Sequence, residues 1–178
     1  MTLRPVNQLI PPHMAGKIHC YLAGDHERLN AWLKRAVSNP ENIGAAAYAQ
    51  FRSGLLRHIA MEEKVLLPAA AKRRGGEALS IAPKLKLDHG ALTALLVPKP
   101  TSSIIAAIRV ILKIHNSLEE DPGGMYDQCE TLAGTYAGRM LDELKNYREV
   151  KVLPHVDNAF VIEAARQAVA RAGYDLKV

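Results

Sequence analysis

The segment Leu55-Leu56-Arg57-His58-Ile59-Ala60-Met61-Glu62-Glu63-Lys64-Val65-Leu66-Leu67-Pro68 places a histidine and a carboxylate four residues apart inside an apolar run. On an α-helix that spacing advances about 400° in azimuth and about 6 Å in height, so His58 and Glu62 project from one face, one turn apart. Tyr48, Phe51, Leu55, His58, Glu62, Val65 and Ala69 follow one another at alternating steps of 3 and 4, the seam of a helix packed against partners. The imidazole and the carboxylate therefore belong to the buried stripe, where each is costly unless something compensates it. A metal ion compensates both.

The same device recurs on either side. Upstream, after a Pro-rich, aperiodic arm over residues 1 to 13, His19, Leu22, His26, Leu29, Leu33 and Ala36 mark a helix that Ser38-Asn39-Pro40 ends. The helix carrying His58 spans about 41 to 73 and closes at Arg74-Gly75-Gly76. Downstream, a helix starting near Ala78 or Pro83 carries Ile81, Leu85, His89, Leu92 and Leu96 on its stripe, and Val97-Pro98-Lys99-Pro100 breaks it. Thr101 or Ser102 caps the next helix, whose stripe reads Ile104, Ile108, Ile111, His115 and Glu119 before Asp121-Pro122-Gly123-Gly124.

Four successive helices thus bury a histidine near mid-length, and the second and fourth add a glutamate one turn later. Folded antiparallel, they bring His26, His58, Glu62, His89, His115 and Glu119 to one layer. One buried histidine is more often a hydrogen-bonded core residue than a ligand, but six such groups together are rarely satisfied without metal. The donor set suits iron, zinc, manganese or nickel better than calcium. Two ions bridged by two carboxylates use all six groups, an established use of helix-bundle cores.

Beyond the glycines, Ala133, Ala137, Met140, Leu144 and Tyr147 predict a fifth helix broken at Leu153-Pro154. Asn158 caps a sixth, to about Ala172, with Phe160, Ile162, Ala165 and Val169 for packing. The chain reads as all-α: an antiparallel four-helix bundle over 14–121 and a helical C-terminal extension over 125–178, within one domain of 178 residues.

The order of a lone histidine, His-x-x-x-Glu, a lone histidine and a second His-x-x-x-Glu resembles the hemerythrin-like family of cation-binding domains. The matching segments are Gly24-Asp25-His26-Glu27-Arg28-Leu29, Leu56 to Glu63 running on to Leu67-Pro68, Leu87-Asp88-His89, and Ile114-His115-Asn116-Ser117-Leu118-Glu119-Glu120. The resemblance implies two iron ions with an oxo or hydroxo bridge, Glu62 and Glu119 bridging and the histidines terminal, with zinc or manganese as substitutes. It implies binding or sensing of dioxygen or nitric oxide, or iron handling under redox stress. The alternatives are a di-iron oxidase or peroxidase, and a helical interaction module with a structural metal; a binding protein is favoured over a turnover enzyme.

This sequence departs from the family pattern in three ways, one of them the gap of 26 residues from His89 to His115, shorter than the family's. Thr93 stands where the oxygen carriers have a fifth histidine, which points toward open coordination. Their last carboxylate lies five residues after its histidine, so Glu120 competes with Glu119 for that role. The stretch Glu149 to Pro154 looks like the tail of a family motif without its histidine; His115 and Glu119 are preferred because they form an intact pair on an apolar seam.

Several polar residues flank the six. Asp25, Asp88, Glu63 and Glu120 are either solvated or placed to orient a ligand histidine. Tyr126 and Glu130, just past the Gly-Gly break, are candidates to gate the site or back it. His19 is too far along its helix, by about 10 Å, to share an ion with His26. His13 and His155 flank prolines and read as surface groups.

Composition sets the remaining bounds. Hydrophobic residues make up 48% and charged residues 23%, with no apolar run near the roughly 20 residues that would span a bilayer. Residues 1 to 12 lack the pattern of a signal peptide, which predicts a cytoplasmic protein. The net charge of +5 is scattered apart from Lys72-Arg73-Arg74 at a helix C-terminus, which argues against nucleic acid. Cys20 and Cys129 form no C-x-x-C motif and suggest no disulfide framework. The C-terminal helices are the candidate surface for a homodimer or another partner.

Overall fold

The structure, a computed structural model, describes residues 15–39 and 42–176, and these are all-helical with no strand. The expected N-terminal arm, His13 and Pro40 lie outside the described residues. Among the described residues no helix is long and apolar enough to cross a membrane.

Helix α1 spans Lys17–Ala36 and has no acidic residue in its own first turn. Glu130 supplies one from a distant element, its Oε2 accepting from the backbone N–H of Ile18 at 2.7 Å and of His19 at 3.3 Å. Helix α2, Ala45–Met61, runs without interruption into a π-helical turn, Glu62–Leu66, and then α3, Leu67–Arg73. The periodicity predicts this as one helix. The wide turn falls just before Pro68, whose missing N–H interrupts the α ladder in any case, and π turns of this kind concentrate at functional sites.

Helix α4, Ala82–Leu95, begins with Pro83 in its first turn. Helix α5, Ser102–Glu120, is capped by Thr101, whose Oγ1 accepts from Ile104 N at 3.2 Å. The predicted fifth helix is in fact two, α6 (Met125–Ala133) and α7 (Ala137–Lys145), joined by a 3₁₀ turn at Gly134–Tyr136. Gly134 has φ +52, a left-handed conformation that breaks the α register. Residues 146–158 are irregular, so α7 stops before Leu153-Pro154. Helix α8, Ala159–Arg171, starts at Asn158, whose side chain accepts from Val161 N at 2.9 Å. Phe160, expected to pack, is 82% exposed, whereas Ala165 and Val169 are buried.

Two apolar clusters fill the interior. One gathers Leu29, Leu55, Leu92 and Ile111 with Val169 of α8. The other gathers Leu22, Val65, Leu85, Met125 and Leu144. Along α1 the chain passes from the second cluster (Leu22) through His26 to the first (Leu29), and along α2 from the first (Leu55) through His58 and Glu62 to the second (Val65). Helix α4 repeats the order of α1 around His89, and α5 that of α2 around His115 and Glu119. A polar layer lies between two oily ones.

Candidate metal centre

All six residues singled out by the sequence are buried, and Glu62 and Glu119 are fully so. They form two groups of donor atoms within 4.8 Å of one another: His26, His58, Glu62 and Glu119, and Glu62, His89, His115 and Glu119. The carboxylates belong to both. Glu62 presents Oε1 to His58 Nε2 and Oε2 to His89 Nε2, each at 3.1 Å. Glu119 presents Oε2 to His26 Nε2 at 3.5 Å and Oε1 to His115 Nε2 at 3.2 Å. The Nε2 atoms of His89 and His115 face each other at 3.2 Å.

The outer nitrogens of three imidazoles are hydrogen-bonded to carboxylates, and the fourth lies near one without hydrogen-bond geometry. His26 Nδ1 lies 2.5 Å from Glu120, His58 Nδ1 2.9 Å from Asp25 and His89 Nδ1 3.0 Å from Glu63. His115 Nδ1 is 3.5 Å from Asp88 Oδ2. A carboxylate at Nδ1 favours a proton on that nitrogen, so a ring that gives up its Nε2 proton to a metal is left in the tautomer a ligand needs. Asp25 and Asp88 are themselves fixed, Asp25 by a short contact with Arg28 and Asp88 by Lys84 Nζ at 2.5 Å. Lys84 also donates to Ala172 O at the end of α8 and to Tyr174, which ties the C-terminal helix to this layer.

The two adjacent glutamates are placed differently. Glu119 points into the cluster, whereas Glu120 is half-buried behind His26. Thr93, the position of the absent fifth histidine, is exposed to solvent. Residues 149–154 run outside the layer, where Leu153 O accepts from Arg52. His19 pairs with Asp127 at 2.8 Å, outside both groups. His155 is half-buried and stacks on Tyr48 with ring centroids 6.1 Å apart, so it is not the surface group its sequence context suggests.

Tyr126 departs furthest from expectation. It does not fold over one end of the site but is fully buried at its centre, within hydrogen-bond distance of Glu62 Oε1 (2.7 Å), Glu119 Oε2 (3.2 Å), His26 Nε2 (3.2 Å) and His58 Nε2 (3.2 Å). Its stripe on α6 continues through Cys129 to Ala133, so extending the predicted fifth helix back to Met125 would have exposed the pattern.

Electrostatics follow from burial and pairing. Burial pulls His58 and His115 toward the neutral form. The charges of Glu62 and Glu119 and the Nδ1 carboxylates outweigh it and raise both histidines to about 10. Burial opposes ionisation of Glu62, yet His58 and His89 hold its carboxyl well below the usual range. Burial, reinforced by Glu119 and Glu62, pushes the Tyr126 phenol well above its ordinary value.

The residues fit a metal pair. Donor atoms about 2.1 Å from one ion and at right angles to each other stand about 3 Å apart, and the inner donor atoms here have that spacing. Glu62 Oε2 and Glu119 Oε1 are buried and face only His89 and His115 Nε2, without hydrogen-bond geometry, and a cation between them would satisfy both. No protein-family model, curated protein or solved structure matches the chain.

Proposed function

We propose that this chain is a hemerythrin-like protein whose α1, α2 with its π turn, α4 and α5 form an antiparallel four-helix bundle around a pair of iron ions, and that it binds dioxygen or nitric oxide. The observation that carries this reading is the sharing of Glu62 and Glu119, each with one oxygen toward each histidine pair, while all four outer nitrogens face carboxylates. The alternating order of the apolar clusters along the four helices supports the antiparallel arrangement. His26 and His58 would hold one ion, His89 and His115 the other, and the two glutamates both.

Iron there supplies a redox-active Lewis acid for a diatomic ligand. The chain's own residues do the rest. Asp25, Glu63 and Glu120 hold protons at Nδ1 and Asp88 lies near the fourth outer nitrogen, so Nε2 is the nitrogen each ring would turn to the metal. The two apolar clusters keep water from either end of the layer, which strengthens every charge interaction inside it.

Elemental analysis of protein purified without an affinity-tag metal, with optical spectra before and after exposure to air, tests the reading. About two irons per chain with near-ultraviolet charge-transfer absorption is the expected result. One zinc, or no metal, would replace it with a structural site or a plain bundle.

A further inference from the structure

We propose that Tyr126 is itself a metal ligand, its phenolate oxygen binding the ion held by His26 and His58. This rests on the metal-pair reading and adds to it an oxygen donor outside the His-x-x-x-Glu pattern. The hydroxyl touches Glu62 Oε1, Glu119 Oε2, His26 Nε2 and His58 Nε2, which are the donor atoms of one half of the centre.

A buried tyrosine in a structural role needs one partner. This one has four, and once His26 and His58 are neutral, as metal binding requires, with their single protons at Nδ1 beside Glu120 and Asp25, all four present lone pairs. The single phenol proton can satisfy one of them at a time, whereas a cation amid the five atoms meets every lone pair at once. The oxygen's distances to its neighbours, 2.7 to 3.2 Å, match the spacing of adjacent donors around one ion.

Position is enforced from the backbone. Gly123, at φ +81, and Gly124 turn the chain sharply after α5, and a Cβ on Gly124 would lie 2.7 Å from Glu119 O. Glu130 then anchors α6 to the first turn of α1. Coordination replaces the O–H bond of Tyr126 with an O–metal bond, releases one proton to solvent and moves no electron. The two ions become unequal, with five protein donors around one and four around the other, so the His89 and His115 side is where an added ligand finds room.

The test uses the full chain loaded with iron(III), with iron quantified in every sample. Two irons per chain with a visible phenolate-to-iron band, and coordinated-phenolate ring modes in resonance Raman, are expected. Tyr126→Phe should retain iron and lose both signatures, and Tyr136→Phe, which alters an exposed ring, should keep them. Two irons without a phenolate signature in the wild type, or a signature surviving in Tyr126→Phe, overturns the proposal and leaves the metal pair standing. No bound iron overturns both. If Tyr126→Phe does not fold, the wild-type Raman spectrum still decides. Among the described residues no other tyrosine hydrogen-bonds to any of the six cluster residues, so a phenolate signature would come from Tyr126.

Discussion

His58 Nδ1 lies 2.9 Å from Asp25 Oδ2, although 33 residues separate the two in the chain. The contact crosses from α2 to α1, fixes the imidazole ring and holds its proton on the outer nitrogen. It is repeated around the layer by other carboxylates, so the centre consists of six inner groups and four supporting ones.

Asp25→Ala should therefore weaken metal binding without removing an inner donor. The expected loss is about 10- to 100-fold in affinity. Competition titration of zinc(II) against a chelator of known affinity measures it; unchanged affinity would sink the orienting role of Asp25.

Glu119→Gln and Glu120→Gln should behave differently although the residues are adjacent. The first removes a shared carboxylate, and metal content should fall from about two ions per chain to one or none. The second only loosens the contact behind His26, so both ions should stay, bound about 10- to 100-fold more weakly. Equal losses in the two variants would mean that Glu119 is not shared.

The metal-free protein should lose stability on either side of a window from about pH 4.5 to about pH 6.5. His58 faces Asp25, Glu62, Glu119 and Tyr126, and His115 faces Asp88, Glu119, Glu62 and His89; both are raised to about 10 in the fold. A raised histidine stabilises the fold fully below its unfolded pKa, and that contribution disappears as pH rises through the folded value. Asp25, Glu62, Glu63 and Asp88 are lowered, so their contribution is complete above the unfolded value and disappears as pH falls. Metal binding displaces the histidine protons, so affinity should rise with pH while metal-free stability declines. Thermal melts of chelator-treated and zinc-loaded protein from pH 4 to 10 would show the two trends; a metal-free Tm that climbs above pH 7 would contradict the assignment.

Gly124→Ala and Gly90→Ala make an opposed pair. At Gly124 the new Cβ meets the backbone oxygen of Glu119, a contact that cannot relax without moving α6, and the expected cost is about 1–3 kcal/mol. At Gly90, inside α4, nothing lies within 4 Å, and alanine should stabilise by about 0.5–1 kcal/mol. Urea unfolding of the two metal-free variants decides; the same sign in both would contradict the close passage of α6 beneath α5.

The residues themselves determine that the chain is helical, where its first four buried stripes run, and which six polar groups lie on them. Each of those facts is local: a period of about 3.6 residues and a spacing of four place side chains on one face whatever surrounds the helix. His26, His58, Glu62, His89, His115 and Glu119 are legible for that reason, and all are buried.

Tertiary structure alone decides which oxygen of Glu62 faces which histidine, that Glu120 stands behind His26, and that Tyr126 enters from α6. The π turn at Glu62 and the break at Gly134 also escaped the periodicity, because one added or turned residue barely disturbs an apolar stripe. Contacts between residues 33 to 100 positions apart depend on how helices are packed, and no spacing within one helix encodes them. The sequence therefore determines the four histidines and two glutamates of the layer, and the packing of α1, α2, α4, α5 and α6 decides how they connect and brings Tyr126 among them.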